Sequence, residues 1–317
     1  MEAKRLYELS VVVVDEMHMI GDSDRGYSLE LTLTKLMYHD KNRSIQIIGM
    51  SATLPNVKSL ADWLGGSLYK TDFRPVPLTE FIKLGDDIYT KTMQFVRKLP
   101  PPSTYSARDD PDKITMLCEE IMSNGHSVLV FCASKIACEN CAKLVARLLS
   151  PPPQGSVQQA RAALLDELRA TAAGLDASLE TTVPAGVAFH TAGLTVEERE
   201  IIERGFREGT ISVLMATSTL AAGVNLPARR VIFRSPKMGM DLLSSAEYKQ
   251  MSGRAGRAGK DTAGESIMVC RQQEKADVLR IMEANLPPLK SSLEIPERGL
   301  GSALLDAIAG GAAQTAP

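Results

Sequence analysis

Short apolar runs of strand length recur along the chain with helical segments between them, and this alternation is the feature that most constrains the fold. The runs span residues 10–15, 44–50, 79–84, 127–132, 187–190, 211–217, 229–233 and 265–270. Buried, Val- and Ile-rich runs separated by helices predict parallel sheets covered by helices, which is the α/β class. No run reaches the roughly 18 apolar residues of a membrane span. The N-terminal stretch MEAKRLYELS lacks the apolar core of a signal peptide, so we expect an intracellular protein.

The most marked interruption of this pattern is DFRPVPL at 72–78, where Pro75 and Pro77 exclude a helix and favour an extended connector. A chain of 317 residues is long enough for two domains. We therefore predict the C-terminal part of a first lobe at 1–74 and a complete second lobe at 75–285, with an Ala-rich helical insertion at about 150–183. Residues 286–317 are predicted to be a linker and the start of a further helical domain. Because the chain starts close to a core strand and stops inside a predicted helix, we expect it to be a fragment.

Charge and cysteine content exclude two classes of protein. A net charge of −2 argues against a protein that packs nucleic acid through bulk charge, although it permits local contacts to a strand. The five cysteines are odd in number and sparsely spaced, so a disulfide framework is not expected. Cys138 and Cys141 form one CxxC pair within an amphipathic helical pattern. Because no second pair lies at zinc-finger spacing, we interpret them as core residues.

The segment VVVVDEMH at 11–18 combines a strand with two carboxylates at its end. Ligands bind at the carboxyl ends of strands in open α/β sheets. A magnesium–phosphate site needs one carboxylate for the water shell of the metal and another to orient an attacking water. Asp15 suits the first task and Glu16 the second. Taken alone, the pair also fits an ordinary solvated strand end.

Three further segments carry polar groups suited to phosphate chemistry. GMSATLP at 49–55 follows a strand and contains Ser51 and Thr53; the turn at 216–232 is rich in hydroxyl groups; and QMSGRAGRAG at 250–259 contains Arg254 and Arg257. Guanidinium groups can neutralise a γ-phosphate from a second domain. Each segment also has a plain structural explanation, as a helix cap or a basic surface loop. Their order along the chain, rather than any one of them, supports a function.

That order, DExH, SAT, FCASK, a Thr-rich turn ending in GVN, and QxxGRxGR, resembles the sequence plan of superfamily 2 helicases from about residue 10 to 285. FRPVPL, FHTAGLTVEER and STLAAGVNLPARRVI are similar to the Ski2-like subgroup, within it to the Hel308 group of DNA helicases that includes the helicase part of DNA polymerase theta. The resemblance implies RecA-like lobes, a winged-helix domain beginning near GSALLDAIAGG, and ATP and Mg²⁺ as ligands. It also implies a DNA partner, 3′-to-5′ movement, a role in DNA repair and a nuclear location.

The resemblance also implies roles for individual residues near the nucleotide. Asp15 would hold Mg²⁺ through water, and Glu16 would activate the attacking water. His18 would sense the nucleotide with Gln250 as its partner. Arg254 and Arg257 would act as arginine fingers. Gly223 and Asn225 would approach the nucleotide from the second lobe.

Two other sets of residues take implied roles away from the chemistry. Ser51, Ala52 and Thr53 would couple hydrolysis to lobe movement. The residues implied to contact the nucleic-acid backbone are Ser134, Thr191, Thr217 and Thr219. The stretch 234–244 lies where the DNA subgroup carries a strand-separating hairpin, and Gly239 suits its turn.

The sequence departs from the family at one essential element. No GxxxxGK[ST] phosphate-binding loop occurs in the 317 residues, and RAGK at 257–260 lacks the required first glycine. We therefore expect no appreciable ATPase or unwinding activity from this chain alone, and poor solubility from an incomplete, apolar first sheet. Two alternatives remain open: a non-catalytic protein that binds nucleic acid or a partner through the second lobe, and an RNA helicase of the same subgroup. Oligomeric state, preferred substrate structure and the presence of a polymerase domain are not predicted.

Overall fold

The computed structural model describes residues 8–21, 26–40, 42, 44–51, 54–71, 73–149, 155–218, 220, 224–284, 288–294 and 299–309. The chain divides into two compact units, one formed by Met1–Asp72 with Asn285–Pro317 and the other by Phe73–Ala284. Residues from Asn285 onward thus group with the N-terminal segment. In the part of the chain that is described, no helix combines the length and apolar character that crossing a bilayer requires.

The first unit contains a two-stranded parallel sheet. Strand β1 (Val11–Val14) pairs in register with β2 (Gln46–Gly49), and helix α1 (Gly26–His39) connects them. Helix α2 (Val57–Leu64) follows, and α10 (Leu300–Ala309) lies near the C-terminus. Val11 and Val13 are 46% and 59% exposed. The first sheet was expected to be incomplete and apolar, and among the described residues alternate side chains of β1 are indeed exposed.

Polar contacts join the C-terminal segment to the rest of the first unit. The buried carboxylate of Glu30, on α1, accepts hydrogen bonds from the Ser292 amide (2.7 Å) and the Ser291 hydroxyl (2.6 Å). The side chain of Asn56 exchanges two hydrogen bonds with the backbone of Leu289. These paired contacts explain why the last segment belongs to this unit.

The second unit is built on one eight-stranded sheet with the strand order β5-β4-β3-β12-β9-β6-β8-β7. The six strands from β3 to β7 in this order are parallel, whereas β3, β4 and β5 form an antiparallel meander at one edge. This mostly parallel sheet confirms the α/β prediction. The strands are β3 (Leu78–Leu84), β4 (Asp87–Thr90), β5 (Phe95–Lys98), β6 (Val128–Phe131), β7 (Val187–His190), β8 (Val213–Ala216), β9 (Arg230–Phe233) and β12 (Gly264–Cys270).

Helices cover this sheet and bury its central strands. All residues of β6, β7, β8 and β9 are buried, as expected for strands packed on both faces. The helices are α3 (Ile114–Met122), α4 (Lys135–Leu148), α5 (Ser156–Ala170), α6 (Ala177–Thr182), α7 (Val196–Glu208), α8 (Ser245–Ser252) and α9 (Lys275–Glu283). The cysteines are free, buried thiols, and Cys138 and Cys141 lie on the inner face of α4, in agreement with their interpretation as core residues.

The Ala-rich segment predicted as an insertion packs into the core of the second unit. Leu164, Leu165 and Leu168 of α5 are buried. The buried guanidinium of Arg161 donates to the carbonyls of Thr210 (3.0 Å) and Pro184 (3.1 Å). Helix α5 is therefore fixed to the segments that precede β7 and β8, rather than lying loosely on the surface.

Candidate nucleotide and nucleic-acid sites

Asp15 and Glu16 form a tight turn directly after β1. Both residues are exposed, and Glu16 has a φ of 52°, in the left-handed region that non-glycine residues seldom adopt. The Glu16 amide donates to Asp15 Oδ1 at 2.8 Å. Next along the chain, the Met17 amide donates to the Met50 carbonyl at 2.8 Å. Neighbouring hydrogen bonds thus hold a strained turn, a situation often found at functional sites.

The side chains around this turn bring the first two predicted motifs together. His18 Nδ1 lies 3.3 Å from Glu16 Oε2. Met17 is buried against Gly49, where a Cβ atom would lie only 1.9 Å from the Met17 sulfur. Ser51 follows Met50 at the end of β2 and is exposed, while Ala52 and Thr53 lie outside the described residues. The exposed carboxylate of Asp15 offers the hard oxygen ligands that suit a water-coordinated Mg²⁺.

The second unit carries Arg254 and Arg257 on the arginine loop, defined here as residues 253–261. The loop follows α8, on which Gln250 is half-buried. It is attached to the segment before β9, because Ala228 and Ala255 form a parallel bridge and the Gly256 amide donates to the Ala228 carbonyl at 2.7 Å. The loop therefore lies at the edge where the parallel strands begin.

Arg254 and Arg257 contact different partners within this unit. The Arg254 guanidinium donates to the carbonyl of Val224, next to the exposed Asn225. Arg257 Nε lies 3.1 Å from Asp261 Oδ2, and its Nη2 lies 3.4 Å from His126 Nδ1. Gly223 lies outside the described residues. The predicted nucleotide-facing residues of this unit that are described thus share one edge of the sheet.

The predicted nucleic-acid contacts lie at the opposite edge, where the parallel strands end. Ser134, Thr191 and Thr217 follow β6, β7 and β8, which are neighbours in the sheet. The Ser134 hydroxyl caps α4 by accepting from the Ala137 amide at 3.2 Å. Thr191 is 1% exposed, and its hydroxyl accepts from the Gly193 amide at 3.2 Å. Thr219 lies outside the described residues. Among these residues, Ser134 and Thr217 have solvent-accessible surface.

A short hairpin occupies the stretch that follows β9. Strands β10 (Lys237–Met238) and β11 (Asp241–Leu242) are antiparallel, and Gly239 has a φ of 64° in the turn. This left-handed turn is the one that its glycine predicted. The Gly239 amide donates to the Ala133 carbonyl at 2.8 Å, so the hairpin is tied to the same edge as Ser134.

Three residues that the sequence did not single out support the arginine loop. Asp261 and His126 contact Arg257, and Arg74 donates to the backbone carbonyls of Gly253 and Ala255. Asp261 follows Arg257 at i+4, where side chain-to-backbone contacts are common, and this spacing was the available signal. Arg74 and His126 are remote in sequence, and no local pattern connects them with the loop.

Comparison with known protein families matches most of the chain to helicase domains. The DEAD/DEAH box helicase model matches residues 1–60, and the helicase conserved C-terminal domain model matches residues 112–259. A helix-turn-helix domain model matches residues 264–317. The mostly parallel sheet of the second unit is consistent with a RecA-like helicase domain, and a helix-turn-helix domain at the C-terminus agrees with the expected winged-helix start.

Curated relatives extend over nearly the whole chain. DNA polymerase theta of Mus musculus is 46% identical over 99% of the chain, and the helicase POLQ-like protein of Homo sapiens is 42% identical over 92%. The ATP-dependent DNA helicase Hel308 of Thermoplasma volcanium is 38% identical over 92%. The chain spans 13%, 27% and 40% of the length of these three proteins, respectively.

Proposed function

Because this chain belongs to the superfamily 2 helicases, in the Ski2-like group with DNA polymerase theta and Hel308, we propose that it is part of an ATP-driven DNA helicase. The observation that carries this proposal most strongly is the strained Asp15–Glu16 turn, held against Met50 and Ser51 at the ends of two parallel strands. We further propose 3′-to-5′ movement, a role in DNA repair and action in the nucleus. DNA is favoured over RNA because the names of these relatives refer to a DNA polymerase and a DNA helicase.

In this proposal the first unit orients the attacking water. Asp15 would hold the water shell of Mg²⁺, and Glu16 would accept a proton from the nucleophilic water as general base. His18, 3.3 Å from the Glu16 carboxylate, fixes the direction in which Glu16 points. Ser51 would transmit changes at this turn, a role supported by the Met17–Met50 hydrogen bond, which connects the two strand ends. Magnesium, when bound with ATP, neutralises the charge of the phosphates.

The second unit is proposed to contribute positive charge and strand contacts. Arg254 and Arg257 neutralise charge that develops on the γ-phosphate, with Gln250, Gly223 and Asn225 near the nucleotide. At the other edge of the sheet, Ser134 and Thr217 contact the strand backbone through neutral donors. Thr191 and Thr219, of which Thr219 lies outside the described residues, are proposed to contact the strand backbone as well.

The missing phosphate-binding loop leads to a sharp biochemical expectation for the chain. We propose that these 317 residues bind single-stranded nucleic acid but do not hydrolyse ATP, because the amides and lysine of that loop supply much of the phosphate affinity. Steady-state phosphate release with and without single-stranded DNA measures this. DNA-stimulated hydrolysis that Glu16→Gln abolishes would contradict the expected inactivity.

Fluorescence anisotropy with matched single-stranded DNA and RNA tests the binding half of the proposal. We expect salt-sensitive DNA binding that weakens when Thr217→Val removes a hydroxyl donor, whereas Thr181→Val serves as a control on the short helix α6. Preference for RNA would favour the RNA-helicase alternative. Binding to neither nucleic acid would contradict a nucleic-acid-binding second lobe.

A further inference from the structure

Arg74 connects the start of the second unit to the arginine loop. Its Nη2 donates to the carbonyls of Gly253 (3.1 Å) and Ala255 (2.8 Å), which flank Arg254 in sequence. Its Nε donates to the Val76 carbonyl at 2.8 Å, which fixes the guanidinium plane. Two charge-assisted hydrogen bonds from one planar group therefore set the backbone on both sides of Arg254, and the third orients that group.

Asp261 holds the other end of the loop. Its side chain is fully buried, and Oδ2 accepts from both the backbone amide (2.7 Å) and Nε (3.1 Å) of Arg257. Oδ1 lies 2.9 Å from His126 Nδ1. Burial alone would raise the pKa of Asp261, but the hydrogen bonds from Arg257 outweigh it, so the pKa is lowered. The carboxylate is therefore ionised and restrains both the backbone and the side chain of Arg257.

We propose that Arg74 and Asp261 are positioning residues that preset the arginine loop, Arg74 through the carbonyls beside Arg254 and Asp261 through the backbone and guanidinium of Arg257. This inference rests on the proposed function of the two loop arginines. Among the described residues, the contacts of Asp261 and His126 involve Nε and Nη2 of Arg257, and in the proposed function Nη1 would face a phosphate oxygen. Preorganised cations contribute more to charge stabilisation than mobile ones.

Two substitutions in the 317-residue chain affect the contacts of Asp261 to different extents. Asp261→Asn keeps one oxygen for the Arg257 amide but removes the negative charge and the Oδ1 contact with Nη2 (3.4 Å), which weakens the hold on the guanidinium, while Asp261→Ala removes every contact. Amide hydrogen exchange reports the backbone contact. The ¹⁵Nε–H signal of Arg257 in arginine-labelled protein reports the side-chain contact. Asp166→Asn, on the exposed surface of α5, is the matched control.

For Asp261→Ala we expect the Arg257 amide to exchange about tenfold to hundredfold faster, the effect of losing one charge-assisted hydrogen bond. For Asp261→Asn we expect amide exchange close to wild type together with an Arg257 Nε signal shifted towards that of a solvent-exposed arginine. A purely structural carboxylate would give parallel changes in both signals. An Nε signal that stays unchanged in both variants would overturn the assignment of Asp261.

Arg74→Lys tests the other end of the loop while keeping the positive charge. A lysine cannot span two carbonyls and Val76 with one ammonium group, so we expect faster exchange of the Gly256 and Ala228 amides, which hydrogen-bond across the loop attachment. Arg280→Lys, on the exposed face of α9, is the control. Unchanged exchange at these two amides would overturn the assignment of Arg74.

These measurements need neither nucleotide nor hydrolysis. If the helicase proposal is wrong, the expected loop signals would therefore stay the same, and the protein would instead fail to bind nucleic acid. A failure of the positioning proposal shows directly in the loop signals.

Discussion

Removal of the Arg230 side chain is expected to destabilise the second unit strongly. Arg230 begins β9, and its side chain is 6% exposed. Its Nε and Nη2 donate to Glu265 Oε2 at 2.8 and 2.6 Å, and its Nη1 donates to Glu120 Oε2 (2.8 Å) and the Leu117 carbonyl (2.7 Å). One guanidinium thus joins β9, β12 and α3.

The expected magnitude follows from what Arg230→Ala leaves behind. Breaking a buried ion pair by removing one partner costs roughly 3–5 kcal/mol. The lower end applies because Glu265 and Glu120 remain 21% and 28% exposed and Arg97 still binds Glu120 with both terminal nitrogens. We expect a loss of about 3 kcal/mol, a large share of the roughly 5–15 kcal/mol that stabilises a typical protein.

Urea denaturation followed by far-ultraviolet circular dichroism measures this loss, because the second unit contains most of the helices and strands. With a slope of about 2–3 kcal/mol per molar urea, the transition should move down by roughly 1–1.5 M. Fluorescence of Trp63, the one tryptophan, follows the first unit instead. Arg280→Ala removes one exposed ion pair and should shift neither signal. If Arg230→Ala also left the circular dichroism transition unshifted, the inference that Arg230 stabilises the second unit by joining β9, β12 and α3 would be refuted.

Two further predictions concern the segments around β7. Burial lowers the pKa of His190 despite the opposing contact with Glu203. As the pH falls below about 6.5, the unfolded state therefore takes up the proton first and the folded protein loses stability. His190→Gln should reduce the difference between the urea midpoints at pH 7 and pH 5, and an unchanged difference would contradict this prediction. Gly186 has a φ of 79° and a Cβ there would lie 2.2 Å from Arg161 Nη2, so Gly186→Ala should cost about 2 kcal/mol in urea unfolding, from backbone strain and a lost hydrogen bond. Gly209→Ala, with a φ of 88° and open space, should cost only the backbone part of about 1 kcal/mol, and equal losses would refute the Arg161 contact.

The apolar runs identified the strands that are buried on both faces, but not those at the edge of the sheet. Strands β4 and β5 were missed because DIYT and FVRK are short and mix polar with apolar residues. Their pairing is decided by the neighbouring strand β3 and by the turn between them, where Met93 has a φ of 62°. Such strands depend on tertiary contacts, which local patterns do not encode.

Parts of the candidate site were likewise predictable from the sequence, and other parts were not. The position of Asp15 and Glu16 at a strand end was predictable from the apolar run before them. The left-handed conformation of Glu16 was not, because it depends on the hydrogen bond between Met17 and Met50, which directly follows another strand. Similarly, the sequence predicted an arginine-rich loop, whereas its contact with Arg74 requires the fold to bring distant segments together.

The hairpin after β9 has a mechanical consequence. Its base is closed by the Leu243 amide, which donates to the Pro236 carbonyl at 2.9 Å, and Leu243 is buried. Its turn is anchored to Ala133, and the adjacent Met240 is 92% exposed. A load applied to Met240 would therefore reach the end of β6 through the hydrogen bond between the Gly239 amide and the Ala133 carbonyl.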